Sequence, residues 1–430
     1  MLFTVRKITK KLEKGDCYEG PIVGKLESCR MNSLIETLPV AASDTEVAGP
    51  GGISTSFGSA EVVRSALSIA PEVWRQTFAG EARDARYYEV IEATLPEKFD
   101  YRYLILRNAE TGQTVVQPFF FIAQDLTDGL PKKFRQMVAR VQRTFPRFLV
   151  MRVLMVGCAV GEGQVACSEP WAVQALHEAL RVVARRSRAS VIVFKDYPAR
   201  HREALSHFSN DGYRRVPSMP AAKVNLGYKD FEDYMQRRVG KVFRKNLRRK
   251  FRASEAIGRP EMTVCEDVSD IIDEVYPLYK QTLARAEFSF EELTPEFLAR
   301  IGREMPDKVR FFIWRLDGKI IAFNFCLLHD GVLYDMDIGL DYSVAFDLHL
   351  YFLTWRDVFN WAIKSGVRTY YTAPLNYDPK LHLRLDLAPL DLYVSHTSRL
   401  INPAFRVAMN FLQPVRHHPI LRQFPNAHEM

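Results

Sequence analysis

The chain of 430 residues lacks the features that mark a secreted, metal-bound or membrane-spanning protein. Its six cysteines (Cys17, Cys29, Cys158, Cys167, Cys265 and Cys326) are scattered, with no Cys-x-x-Cys pair and no histidine spacing suited to zinc. That pattern fits free thiols in a reducing compartment and predicts no metal site. No apolar run is long enough for a bilayer span: the most apolar one, Phe148–Val160, is broken by Arg152 and reads as a buried strand. The N-terminus has Lys and Arg but no apolar core behind them, which argues against a secretory signal, so a cytoplasmic location is expected. No Ser–His–Asp or Cys–His context stands out, which points away from a covalent enzyme intermediate.

Acid is missing from one stretch in particular. Residues 237–252, RRVGKVFRKNLRRKFR, hold nine Lys or Arg in sixteen positions and no Asp or Glu. Wound as a helix, Arg237, Lys241, Arg244, Arg248 and Arg252 fall on one stripe, with Met235, Val239, Val242, Phe243 and Leu247 opposite. This predicts a helix that docks by an apolar face and offers a cationic one to a polyanion: a phosphorylated cofactor, RNA or an anionic membrane surface. The whole chain carries +8, from 59 basic and 51 acidic residues, so the anion preference is local. Arg244, Lys245, Arg248 and Arg249 are the candidate phosphate contacts, since guanidinium groups bind phosphate bidentately and ammonium groups act as point charges.

The remainder reads as an α/β chain with mixed (α+β) sheets. Residues 1–60 end in GPGGISTSFGS and read as a weakly ordered extension. Two hairpins (Tyr103–Ile122, turning at Thr111-Gly112, and Val309–Leu328, turning at Asp317-Gly318) are each followed by a strand, a helix and a strand. The first set is Phe148–Gly157, Trp171–Arg186 and Val191–Pro198. The second is Val332–Leu340, Leu348–Gly366 and Val367–Pro374, preceded by helices Asp270–Arg285 and Thr294–Met305. The recurrence predicts two similar halves, 61–228 and 229–400, with a tail at 401–430.

Within the second half, Asp335 and Asp337 alternate along a strand, which predicts that both carboxylates leave one face. In a cleft, desolvation would raise one of them towards neutrality and suit it to take a proton from an amine. Gly339 follows, and a glycine inside a strand often marks a bulge. Asn324 is a polar side chain in the apolar strand IIAFNFCLL and needs a partner, substrate or backbone. His349 reads as packing or a cap, and Trp355, Phe359 and Trp361 as core.

The segments FRKNLRRKFR, DGKIIAFNFCL, WAIKSGV and NYDPKLHLRLDLAPL, in this element order, resemble the GNAT acyltransferase superfamily, and the two tandem halves resemble its FemAB-like branch. In the last segment Tyr377 and Lys380 fill the Tyr and Lys positions of a FemAB-like pattern, while Arg384 stands where that pattern has glycine. The resemblance implies donor or acceptor contacts by Lys380, Tyr377 and Asn376, and a free backbone N–H at a bulge near Gly339 that polarises the acyl carbonyl. GNAT proteins seat a CoA pyrophosphate on a glycine-rich loop, yet the equivalent stretch here, Asp341–Leu350, has no glycine and places Asp347 near the helix start, where it would cap the helix and repel an anion. FemAB proteins take their acyl group from aminoacyl-tRNA instead. The implied activity is N-acyl transfer from a thioester (acyl-CoA or acyl carrier protein) to an amine, with no tightly bound cofactor. The alternatives are an aminoacyl-tRNA-dependent transferase and a non-enzymatic binder of RNA or an anionic surface.

Overall fold

The structure, a computed structural model, describes residues 52–125, 140, 150–286, 290–411, 413, 415 and 418–430. Residues 1–51, with Cys17 and Cys29, lie outside that set, as does Phe148, where the expected strand Phe148–Gly157 begins. Two mixed sheets form the frame. The first runs β1 (Ile53–Thr55), β2 (Gly58–Val63), β3 (Asp100–Asn108), β4 (Thr114–Asp125), β5 (Val150–Val156), β6 (Val191–Pro198), β15 (Leu390–His396), β7 (Arg214–Pro217). The second runs β14 (Asp386–Ala388), β8 (Ala221–Asn225), β13 (Thr369–Thr372), β12 (Val332–Leu340), β11 (Lys319–His329), β10 (Val309–Leu316), β9 (Glu261–Cys265). Residues 53–60, expected in a loose extension, instead form the edge hairpin of the first sheet.

Strand alternation gives each sheet two apolar faces, and helices cover all four. Helices α1 (Pro71–Phe78), α2 (Ala85–Thr94), α6 (Ile272–Leu283) and α7 (Pro295–Glu304) share one core with the facing sides of both sheets, from Trp74 and Tyr103 to Phe297 and Phe325. Helix α3 (Pro170–Arg186) covers the outer face of the first sheet. Helices α4 (Phe231–Arg238), α5 (Lys241–Ile257) and α8 (Leu350–Lys364) cover that of the second, with Trp355 and Phe359 in its core. Helix α7 starts as its sequence predicts: the Thr294 hydroxyl accepts from Phe297 N at 3.1 Å, and Pro295 takes the first position. The halves are joined across α2 and α7 by a Tyr87–Phe297 edge-to-face ring pair and by Lys308 Nζ on Asp84 at 2.8 Å.

Element by element, β2 to β7 match β9 to β14, with one exchange. In the first sheet β15, from the second half, lies between β6 and β7; in the second, β8, from the first half, lies between β13 and β14. The sheets therefore do not follow the expected border at 228/229. Each half completes its partner's sheet, and Asp391 of β15, buried, holds Arg202 (2.6 Å) and Arg215 (2.7 Å) of the first half. Two short helices close the chain's turns, α9 (Tyr377–His382) and α10 (Asn402–Met409).

Candidate active site

Strands β12 and β13 pair in parallel only from Val332↔Thr369 to Asp335↔Thr372, closed by Ala373 N on Asp335 O at 3.1 Å. Pro374 cannot donate to a ladder, and Leu375 and Asn376 both take positive φ (73° and 49°), turning the chain away into α9. Beyond Asp335 the β13 side of β12 is thus an open edge. Asp341 N donates to Ile321 O of β11, while Leu340 N turns the other way, to Thr282 Oγ1 at 3.1 Å. Strand alternation then sends the Ile338 N–H out along the open edge.

The first half lacks such an opening. Its equivalent, past Val156, is filled by residues 157–169: Gly163 N bonds Asp196 O at 3.0 Å, and Gln117 clasps Gln164 O and Ala166 N, each at 3.0 Å. A side chain at Gly163 would run into Tyr197, whose Cδ2 stands 2.6 Å from the Cβ position. One wedge is open, and it lies in the second half.

The two carboxylates do not share a face. The β11–β12 register steps from Phe325↔Asp337 to Cys326↔Asp335, so Met336 is an inserted residue, a bulge that resets the alternation. Asp335 faces the α8 side with Cys326; Asp337 faces the core between the halves with Phe325. Gly339 is not the bulge. It pairs regularly with Phe323, and only glycine fits there because α6 crosses directly above it, with Tyr279 N only 2.7 Å from where a Cβ would sit. Gly339→Ala is expected to cost about 2–3 kcal/mol through overpacking, read as a lower denaturant midpoint.

On the α8 side, Asp335 accepts from Asn324 Nδ2 at 3.0 Å and from the Tyr370 hydroxyl, with Cys326 Sγ at 3.7 Å. Burial raises its pKa, and these donors, with the nearby Lys380, pull it back. Asn324 Oδ1 is buried with no partner among the described residues. Lys380 is buried, and its Nζ is donated to Ala373 O (2.5 Å) and Leu375 O (2.7 Å), the carbonyls of the turn. Desolvation brings its pKa down to about 7, against the pull of Asp335. The lysine therefore stands inside the site, not on a surface phosphate. Tyr377 is buried with its hydroxyl on Pro220 O at 2.7 Å, so it offers nothing to a phosphate; its aromatic neighbour is His418. Asn376 is exposed at the turn, beside the Tyr351 hydroxyl.

Lys380 also makes a pH prediction. Between its folded value near 7 and the ordinary 10.5, the unfolded chain holds a proton that the native one does not, so stability from this residue rises with pH in that window. The stability difference between wild type and Lys380→Met should climb by about 1.4 kcal/mol per pH unit from pH 7 to 9, measured by chemical unfolding.

On the other side, Asp337 makes no side-chain hydrogen bond among the described residues, and burial, then Glu291 and Asp335, push its pKa well above the carboxylate range. Around it stand groups that the sequence did not single out. Arg83 has Nη2 at 3.5 Å from Met336 Sδ; burial opposes its charge, but Tyr87, Cys158 and Glu162 hold it protonated. Glu162 comes from the loop that fills the first half's wedge and accepts from the Tyr371 hydroxyl. Lys195 and Asp196 pair at 2.9 Å. Tyr370 and Tyr371, adjacent in β13, serve opposite sides of the site.

The cationic segment is two helices, not one. Val239 and Gly240 are extended (ψ 136° and 144°), so α4 ends at Arg238 and α5 starts at Lys241. Leu247 and Phe251 dock α5, whereas Val242, expected on the docking face, is 86% exposed. Arg244 caps α4 by donating to Met235 O (3.2 Å) and Gln236 O (2.9 Å), and Arg248 pairs with Glu232. Both are spent on the fold, and the outward stripe is Lys241, Lys245 and Arg249. This end of α5 lies against the start of α8: Phe243 packs on Phe352, Lys250 Nζ sits 5.4 Å from the same ring, and burial with Lys250 and Arg249 lowers the His349 pKa. His349, at φ 49°, is the N-cap residue of α8 without a side-chain cap bond; Asp347 is exposed two residues earlier and does not cap. The thiols of Cys158 and Cys326 are buried and their pKa values raised, so neither is a thiolate nucleophile. Among the described residues no group of His, Cys, Asp and Glu could hold a metal, and no helix is long and apolar enough to cross a membrane.

Residues 241–378 match the profile of the acetyltransferase (GNAT) domain family. No curated protein matches the chain. Among solved structures, FemX is similar over 81% of this chain and 100% of its own, with TM-score 0.50 and 10% identity. L-PGS from Bacillus licheniformis covers 81% and 98% (TM-score 0.45, 13% identity), and a tandem GNAT protein from the clavulanic acid biosynthesis pathway 79% and 99% (TM-score 0.42, 11% identity). The profile match marks residues 241–378 as a GNAT acetyltransferase domain, and the fold of the chain is similar to that of FemX.

Proposed function

We propose that the protein transfers an acyl group from a phosphate-bearing donor to an amine by direct attack, without a covalent enzyme intermediate. The observation that carries this reading is the uncommitted, desolvated carboxyl of Asp337 beside the open edge of β12. The donor's acyl end lies along that edge with its carbonyl on the Ile338 N–H, an oxyanion donor one residue before the glycine first singled out. Asp335, Asn324, Tyr370 and Lys380 order the donor side; Asp337 takes the proton of an amine arriving between the halves.

The donor's phosphates lie at the start of α8, where Arg249 and Lys250 supply the charge that the glycine-free loop lacks. A thioester, CoA or carrier-protein linked, is the first reading. An aminoacyl-tRNA is the second, favoured by the exposed stripe Lys241, Lys245, Arg249, whose members rise about 6 Å apart along α5 and suit a longer polyanion. The test is amide formation by the purified protein with acyl-CoA, acyl carrier protein and charged tRNA in turn, each with a panel of amines, read by mass spectrometry. Amide from one donor class assigns it; no amide from any of the three sinks the proposal.

A further inference from the structure

The stretch after β15 is a helix that leaves an apolar stripe exposed. No residue of α10 is buried. Leu400 is 93% exposed, Ile401 53%, Val407 59% and Phe411 61%. Leu400, Ala404, Val407 and Phe411 follow the i, i+4, i+7, i+11 spacing of a helix stripe, which ordinarily faces a core. Here Asn402 and Phe405 hold the helix to the protein. Asn402 Nδ2 donates to Gly212 O at 2.7 Å and its Oδ1 accepts from His396 N at 2.9 Å, while the Phe405 ring rests 5.8 Å from that of His396. The helix is pinned, with this apolar stripe outward.

Beside the stripe opens a cavity of about 350 Å³ whose charged lining is Arg181, Arg399 and Arg406 against one acid, Asp211. Three guanidinium groups around one hollow select for phosphate, which they bind bidentately. An outward apolar stripe next to phosphate-selective arginines is the composition of an element lying in a lipid headgroup layer. A second copy of the chain fits less well, because Arg399 and Arg406 flank the stripe and would meet themselves across a twofold axis. We propose that α10 and its arginines dock the protein on an anionic phospholipid bilayer, with Leu400, Ile401 and Val407 entering the headgroup–acyl boundary and the arginine cavity taking a lipid phosphate. This inference does not depend on the acyl-transfer reading.

The experiment is co-sedimentation of the full chain with vesicles of phosphatidylcholine alone or with about one-third phosphatidylglycerol. Binding to the anionic vesicles should exceed that to neutral ones by about tenfold and fall with salt. Ile401→Asp with Val407→Asp should cut it by about tenfold, as should Arg399→Glu with Arg406→Glu. Lys245→Glu with Arg249→Glu, on the other cationic surface, should leave it unchanged. All these positions are exposed or line the open cavity, and circular dichroism checks the fold; the milder Ile401→Ser with Val407→Ser gives a smaller loss in the same direction. Three results would overturn the proposal: no preference for anionic vesicles, loss of binding through the α5 variant alone, or a solution dimer that Val407→Asp dissociates.

Discussion

Asp337→Asn should lower kcat/KM for amide formation about a thousandfold, within the range a positioned general base supplies, and should leave the protein more stable, not less. Both halves of that expectation come from one environment. Burial and the neighbouring carboxyls of Glu291 and Asp335 raise the Asp337 pKa well above its ordinary 3.8. A carboxyl raised on folding contributes stability below its unfolded pKa and loses it as pH climbs through the folded value, so near pH 7 the ionised group is a liability. An amide of the same shape removes that charge, so the variant should gain stability in chemical unfolding at pH 7. The pH–rate profile should carry an acidic limb set by a displaced carboxyl, and the limb should be missing in the variant. Asp335→Asn separates the roles: the amide keeps one acceptor oxygen, so its NH2 meets one of the two donors, Asn324 Nδ2 or the Tyr370 hydroxyl, and the variant should destabilise. Turnover of Asp337→Asn within tenfold of wild type would remove the residue from the chemistry.

The sequence makes the helices, hairpins and strands legible, because amphipathic period and turn residues are local. Helix α7 with its Thr294-Pro295 start, the hairpin turning at Asp317-Gly318 and the buried strand ending at Val156 all stand where the pattern puts them. Two kinds of information escape such a reading. The first is register. Asp335 and Asp337 look co-facial at a period of two, and only the pairing with Phe325 and Cys326 reveals Met336 as an extra residue that divides them. The second is partnership across the chain. Nothing in the period of residues 221–225 or 390–396 says which sheet they complete, and nothing near Glu162 says that its carboxyl meets Tyr371 some two hundred positions away. The break in the cationic helix was signalled by Gly240, an isolated glycine in a helical pattern, and that break diverts Arg244 to capping.

That diversion reshapes the expectation for the donor end. Lys245→Glu with Arg249→Glu should raise the donor KM by more than about a hundredfold with kcat within a few-fold of wild type, since charge-assisted contacts to phosphate are each worth about 1.5–3 kcal/mol and act far from the reacting carbonyl. Arg244→Ala should do the reverse: it strips the donor from Met235 O and Gln236 O, lowers stability by about 1–2 kcal/mol, and leaves KM nearly unmoved. The salt dependence of kcat/KM then tells the donor classes apart. Each lost contact to a single-stranded polynucleotide should flatten the slope of log(kcat/KM) against log salt by about 0.7, so an aminoacyl-tRNA donor predicts a change near 1.4 in the double variant. A CoA thioester carries few phosphates and shows a shallow slope in both proteins. An unchanged KM in Lys245→Glu with Arg249→Glu, for every donor that gives product, would detach the cationic helix from donor binding and leave the start of α8 without its counter-charge.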